Sequence, residues 1–212
     1  MFITLEGPDG GGKTTQLRLL TRALSDAGLN VYTSREPGGT PAAEAIRRLL
    51  LSGKHDLTPA TEAFLYMAAR AQHVRERILP ELAGGAVVLC DRFVDATLAY
   101  QGFGSGLPLK DLEGMVPLAV AGRMPDLTIL LDVKAGKGLS RAQGTDRMER
   151  RGKVFHERVY RGYLKLAQRE PKRIRVISGQ GTPAEIRDRI LQTLWPFLKR
   201  RKASLNWSGS RG

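Results

Sequence analysis

At 212 residues, with 42% hydrophobic and 26% charged side chains, the chain is long enough to bury a core without disulfides or metals, and its composition excludes a disordered polymer. Lys and Arg number 34 against 21 Asp and Glu, a net charge of +13 that calls for polyanionic partners, either nucleic acid or small phosphate-bearing substrates. The one cysteine, Cys90, excludes an internal disulfide, and the widely spaced His55, His73 and His156 form no metal-ligand pattern.

The chain begins Met1-Phe2-Ile3-Thr4-Leu5-Glu6, with no basic leader, and Phe2–Leu5 reads as a buried strand. Lys13–Ala27 follows as a helix, with Leu17, Leu20, Ala23 and Leu24 at helical spacing and Gly28 as its stop. Asn30–Thr33 is the second strand, and helices are predicted at Pro41–Leu51 and Thr61–Leu82, the latter with Pro59 near its start. Ala86–Cys90 is the third strand, which places Cys90 as a buried thiol, and helices at Asp95–Tyr100 and Asp111–Ala121 come next. Leu127–Leu131 is the fourth strand, followed by a short helix at Gly136–Arg141 and a polar, mobile loop at Gln143–Lys153. Phe155–Gln168, the strand Ile174–Ile177 and Thr182–Leu198, with Pro183 at its first helical position, complete the pattern. Apolar runs without polar alternation, separated by helices, predict an α/β fold: a five-stranded parallel sheet, doubly wound and covered on both faces. A single domain over 1–198 is expected, with a basic disordered tail over 199–212. No stretch approaches the ~18 apolar residues of a membrane span, so a cytoplasmic protein without membrane contact is expected.

Gly7-Pro8-Asp9-Gly10-Gly11-Gly12-Lys13-Thr14 matches G-x-x-x-x-G-K-[ST] at every position, between a predicted strand and a predicted helix. Glycines let backbone N–H groups converge on a phosphate, and the helix N-terminus adds partial positive charge. ATP is therefore the expected co-substrate, held by residues 7–14 with Thr15; Lys13 reaches its β and γ phosphates and the Thr14 hydroxyl ligates Mg²⁺. This loop alone does not name the acceptor.

Six further segments carry the acceptor side: Glu6-Gly7-Pro8-Asp9, Arg35-Glu36-Pro37-Gly38-Gly39-Thr40, Asp91-Arg92-Phe93, Ala99-Tyr100-Gln101-Gly102, Pro125-Asp126-Leu127 and Asp146-Arg147. In this order the chain resembles the thymidylate kinase family from Phe2 to about Leu198. The resemblance implies a P-loop nucleoside monophosphate kinase fold, transfer of a phosphoryl group from ATP to dTMP, and a homodimer. It places Arg35, Glu36 and Arg47 beside the acceptor phosphate, and Asp9 on the acceptor's sugar hydroxyl and the metal. Tyr66 would stack on thymine and Arg70 donate to it, with Thr97 and Gln101 facing the base and Tyr100 disfavouring a ribose. Asp91 would hold Mg²⁺ partly through water, and Arg92 would bridge the two phosphates. No arginine lies inside the phosphate loop, so one in a lid over about 141–153 must supply the extra charge; Arg141 and Arg147 are the candidates. The chain departs from the family pattern at Phe93, Ala96 and Arg141-Ala142-Gln143-Gly144.

Two rivals share part of this pattern. A kinase for UMP, CMP or AMP would use the same fold, but the Arg35–Thr40 and Ala99–Gly102 segments argue against it, and a deoxynucleoside kinase would need a general base for a neutral hydroxyl. A nucleic-acid-binding module with a decayed P-loop would account for the charge, yet no aromatic-rich recognition motif is present and every phosphate-handling residue is intact. No nucleic-acid partner is expected.

Overall fold

The five apolar runs pair as one parallel sheet: β1 (Phe2–Glu6), β2 (Val31–Arg35), β3 (Val87–Asp91), β4 (Leu127–Asp132) and β5 (Ile174–Ser178), in the spatial order β2-β3-β1-β4-β5. The computed structural model describes residues 1–133, 147–148 and 150–208, with side chains as far as residue 199. The predicted helix Gly136–Arg141, the first part of the Gln143–Lys153 loop and the last four residues lie outside the described residues.

Alternate strand residues feed two separate cores. Phe2, Val88, Cys90 and Leu130 pack on one face, and Ile3, Leu5, Val87, Leu89, Leu127, Ile129 and Leu131 on the other. A period of two turns successive side chains to opposite faces, and both faces are covered, so every position in a central strand is apolar or hydrogen-bonded. Full coverage holds for β1, β3 and β4 only. At the edges Thr33, Arg35, Val176 and Ser178 are exposed, because an edge strand has one neighbour and incomplete helical cover.

The helices are α1 (Lys13–Asp26), α2 (Pro41–Leu51), α3 (Pro59–His73), α4 (Leu79–Ala83), α5 (Val94–Thr97), α6 (Leu109–Val120), α7 (Lys153–Arg169) and α8 (Pro183–Ser208). Threonine caps followed by proline start three of them: Thr40 accepts from Ala43 N, Thr58 from Thr61 N, and Thr182 exchanges bonds with Glu185 as a capping box. The single helix expected over Thr61–Leu82 is divided by a π turn at Val74–Ile78. Pro80 removes one N–H and crowds the carbonyl four residues back, and a wider turn accommodates both. A second π turn, Leu98–Gly104, extends α5. The last helix runs to Ser208, into the segment expected as a tail.

Candidate active site

Leu20 and Leu24 of α1 belong to the core on one face of the sheet, whereas Val94, Leu98 and Leu112, which follow β3, belong to the other. Chains leaving the adjacent strands β1 and β3 therefore diverge, and a crevice opens at their carboxyl ends, where doubly wound sheets bind ligands. The cleft there holds roughly 640 Å³, a volume suited to nucleotide-sized ligands, and is lined by the phosphate loop, the ends of β2 and β3, α2, α3 and the turn after α5.

Gly12 is the N-cap of α1 with φ +86°, a left-handed conformation that costs glycine little. The first turn of α1 carries no acidic side chain, so its N–H groups and partial positive charge are left for an anion. Lys13 is buried and folds back to donate to Gly7 O (3.1 Å) and Pro8 O (2.8 Å). Burial first, and Arg92 second, push its ammonium down to about 8. Thr14 Oγ1 donates to Asp91 Oδ2 at 3.0 Å, so the two expected Mg²⁺ donors stand side by side at the cleft. Thr15 is exposed on the same first turn.

Arg92 joins the two sides of the cleft. Its Nη1 donates to Gly7 O and to Tyr163 Oη, each at 3.0 Å, and its Nη2 to Asp9 Oδ1 at 2.5 Å and Tyr100 Oη at 3.1 Å. Tyr100 Oη in turn donates to Asp9 Oδ2 at 2.7 Å. Burial alone would raise the Asp9 carboxyl, but Arg92 and then Lys13 outweigh it and hold it below its usual range. Arg92 has φ +70°, strained for a residue with a Cβ. Two bonds maintain it: Arg92 N donates to Leu5 O (2.9 Å), and Phe93 N to Glu6 Oε1 (2.7 Å). Glu6 Oε2 also accepts from Tyr163 Oη at 2.8 Å; burial and Asp95 push the Glu6 carboxyl up to about 8.

Across the cleft from the phosphate loop, Glu36 is the hub. Its carboxylate accepts from Arg70 Nε (2.7 Å) and contacts His73 Nδ1 (3.0 Å), while His73 Nε2 meets Ser34 Oγ (2.7 Å). Arg70 is buried and further donates through Nη1 to Met67 Sδ and through Nη2 to Phe93 O and Thr97 Oγ1. Arg47 Nη1 donates to Pro37 O at 2.8 Å, Arg35 pairs with Glu44 at 3.3 Å, and Tyr66 lines the cleft. Gln101, buried in the π turn, donates to Glu62 Oε2 at 3.0 Å. Gly39 holds this cluster together by being small: a Cβ there would lie 2.5 Å from the His73 ring and 2.7 Å from Ser34 Oγ, on a backbone with φ +85°. Gly39→Ala is therefore expected to destabilise the fold by about 2–4 kcal/mol in urea unfolding; a change below about 0.5 kcal/mol would show that His73 moves aside freely.

The thymidylate kinase family model matches residues 5–190. The chain belongs to the thymidylate kinase family. Among curated relatives, the thymidylate kinase of Geobacter sulfurreducens is 51% identical over 84% of this chain and 88% of its own. That of Synechococcus sp. (strain JA-2-3B'a(2-13)) is 48% identical over 93% of this chain and 96% of its own, and that of Thermomicrobium roseum 46% over 96% and 98%. The crystal structure of thymidylate kinase from Ehrlichia chaffeensis superposes with a TM-score of 0.78 at 32% identity, covering 92% of this chain and 98% of that one. The P-loop nucleoside monophosphate kinase fold follows from the same likeness.

Of the thymidylate kinase lid candidates, Arg141 lies outside the described residues. Arg147 is held against α2 and α3: Nη1 pairs with Glu62 at 2.7 Å and Nε donates to Leu50 O at 3.2 Å. The described part of the segment expected as a loop is anchored there, with Met148 in the core and Arg151 on Glu62 as well. Sequence reasoning missed Glu6, Ser34, Glu62, His73, Arg151 and Tyr163 as site components. Glu6 stands out in the sequence only as part of a motif, and Tyr163 occupies a helical apolar position indistinguishable by spacing from an ordinary core aromatic.

Proposed function

We propose that the chain transfers the γ-phosphoryl group of ATP to dTMP, giving dTDP and ADP in the supply of dTTP, through the residues assembled around this cleft. An oxygen of the dTMP phosphate attacks the γ phosphorus, the bond from that phosphorus to the bridging oxygen breaks, and ADP leaves with the electron pair. The acceptor phosphate has a second pKa of about 6, so it is already largely ionised at neutral pH and needs no general base. What the protein supplies is position and charge. The observation that carries the proposal is Arg92, whose guanidinium binds Gly7 and Asp9 of the phosphate loop and Tyr100 of the acceptor side at once.

Lys13 and the α1 N-terminus would take the donor phosphates, displacing the Gly7 and Pro8 carbonyls from Lys13 Nζ. Arg35, Arg47 and Arg92 would take the acceptor phosphate, with Asp9 on its sugar, and Tyr66, Arg70, Thr97, Tyr100 and Gln101 around its base and C2′. Thr14 Oγ1 and the Asp91 carboxylate, two hard oxygens 3.0 Å apart, fit Mg²⁺, which when bound would neutralise phosphate charge. For the lid arginine the candidates stay Arg141 and Arg147; bringing Arg147 to the phosphates requires its Glu62 pair to open. A homodimer is part of the same reading, supported by Phe64 on α3 and Leu118 on α6, exposed at 65% and 78%. No helix among the described residues is long and apolar enough to cross a membrane, and a cytoplasmic location accords with that.

The test is ADP formation from ATP and Mg²⁺ with dTMP, dUMP, UMP, CMP and AMP in parallel. Strong turnover on dTMP, weaker on dUMP and little on the ribonucleotides is expected. Preference for any ribonucleotide would overturn the base assignments and leave the phosphate loop standing.

A further inference from the structure

One wholly buried carboxylate gathers three donors, and beyond holding Arg147 it has no part in the chemistry above. Glu62, in α3, accepts through Oε1 from Arg147 Nη1 at 2.7 Å and Arg151 Nη2 at 2.5 Å, and through Oε2 from Gln101 Nε2 at 3.0 Å. Arg151 is itself fixed, by Ser105 Oγ at 3.0 Å and by the Phe155 ring, whose centroid is 4.7 Å from its guanidinium carbon. The carboxylate is thus held from two directions before Gln101 meets it.

A side-chain amide has one donating end and one accepting end, and a half-turn about its last torsion exchanges them. A carboxylate only accepts, so Glu62 keeps the Nε2 end of Gln101 and turns the Oε1 end away. Gln101 lines the cleft but is only 1% exposed, so bulk water cannot compensate for the wrong orientation.

We infer that Glu62 is a positioning residue for base specificity: by fixing the Gln101 amide it presents an acceptor that selects pyrimidines carrying N–H at N3 over cytosine. Thymine and uracil donate from N3, whereas N3 of cytosine is itself an acceptor and would face Oε1 unpaired. This inference rests on the dTMP reading of the cleft. It adds a discriminating element remote from the base, in a residue that touches no substrate.

The experiment compares kcat/KM for dTMP and dCMP in Glu62→Gln. Arg147 and Arg151 donate to one end of the new carboxamide and so hold it by its oxygen; its NH2 is left towards Gln101, whose amide then turns over to accept. The dTMP:dCMP ratio is expected to fall about tenfold, the size of one oriented hydrogen bond, mainly through a higher KM for dTMP, with KM for ATP unchanged. A merely structural Glu62 would weaken both acceptors alike, and an unchanged ratio overturns the inference. Glu62→Asp keeps the charge for two long arginines but withdraws it by one methylene from Gln101; the same fall in ratio is expected, which keeps the test open if Glu62→Gln does not fold. In a Gln101→Ala background Glu62→Gln should leave the ratio where Gln101→Ala put it, and a further tenfold fall would mean that Glu62 acts by another route. Failure of the wild type to use dTMP would strike the functional reading, whereas a selective wild type with an equally selective Glu62→Gln strikes only this inference.

Discussion

Lys13→Met is expected to lower kcat by about 10³-fold while the protein stays folded. The ammonium is the one lysine charge inside the phosphate loop, and removing a donor aimed at developing phosphate charge costs on that order. The fold has reason to tolerate the change. Burial and Arg92 lower the Lys13 pKa from the usual 10.5 to about 8, so between these values the folded chain binds fewer protons than the unfolded one. The resulting destabilisation is complete below about pH 8 and gone above 10.5; wild-type stability therefore gains with rising pH across that window. Lys13→Met should be no less stable at pH 7 in urea unfolding and should lack this gain. For the wild type, KM for ATP should climb above about pH 8 as the free enzyme loses the Lys13 proton, with kcat affected less because bound phosphates restore the charge. A kcat within tenfold of wild type would remove Lys13 from the phosphate-binding role.

Arg92→Lys is expected to cost about 10²–10³-fold in kcat/KM for dTMP, together with about 2–4 kcal/mol of stability. Lysine keeps the charge and can occupy the same backbone conformation, but it is a point donor and cannot span the positions that the planar fork reaches. Arg92 serves Gly7 O and Tyr163 Oη from one nitrogen and Asp9 and Tyr100 from the other. Without the fork the largely buried Asp9 carboxylate keeps a positive charge nearby but loses the close guanidinium hydrogen bond that Arg92 makes while also holding Gly7, Tyr100 and Tyr163, and weakening such a pair is expensive. Because the proposed function gives Asp9 the acceptor's sugar and Tyr100 its C2′, KM for dTMP should rise more than KM for ATP. Steady-state kinetics with each substrate varied, alongside urea unfolding, separates these effects. Equal rises in both KM values would mean that Arg92 acts on the phosphate loop alone.

How much was legible in advance follows from how far each contact reaches along the chain. The phosphate loop is nine consecutive residues, Gly7 to Thr15, between a strand and a helix, so its motif and context are both local. The strands end within two residues of the apolar runs that predict them because buried apolar runs are distinctive, and the threonine–proline helix starts are local as well. No local pattern in the sequence marks the two π turns. They satisfy backbone groups around Pro80 and in the tightly packed turn holding Tyr100 and Gln101, where a Cβ at Gly102 would lie 2.6 Å from Leu109.

The sequence by itself therefore determined the class of fold, the phosphate-binding loop and, through motifs in order, the family. Tertiary structure decided which polar groups face one another. Glu6 meets Tyr163 across 157 positions, Glu62 meets Arg151 across 89, and Ser34, Glu36 and His73 converge from a strand, its following loop and a helix. No periodicity encodes such pairs, since a buried carboxylate or tyrosine is consistent with many partners until packing brings one within about 3 Å. The same limit applies to Arg147: its type and position suggest a lid role, and no local pattern shows its bond to Glu62, which exists because α3 presents a buried carboxylate at that point.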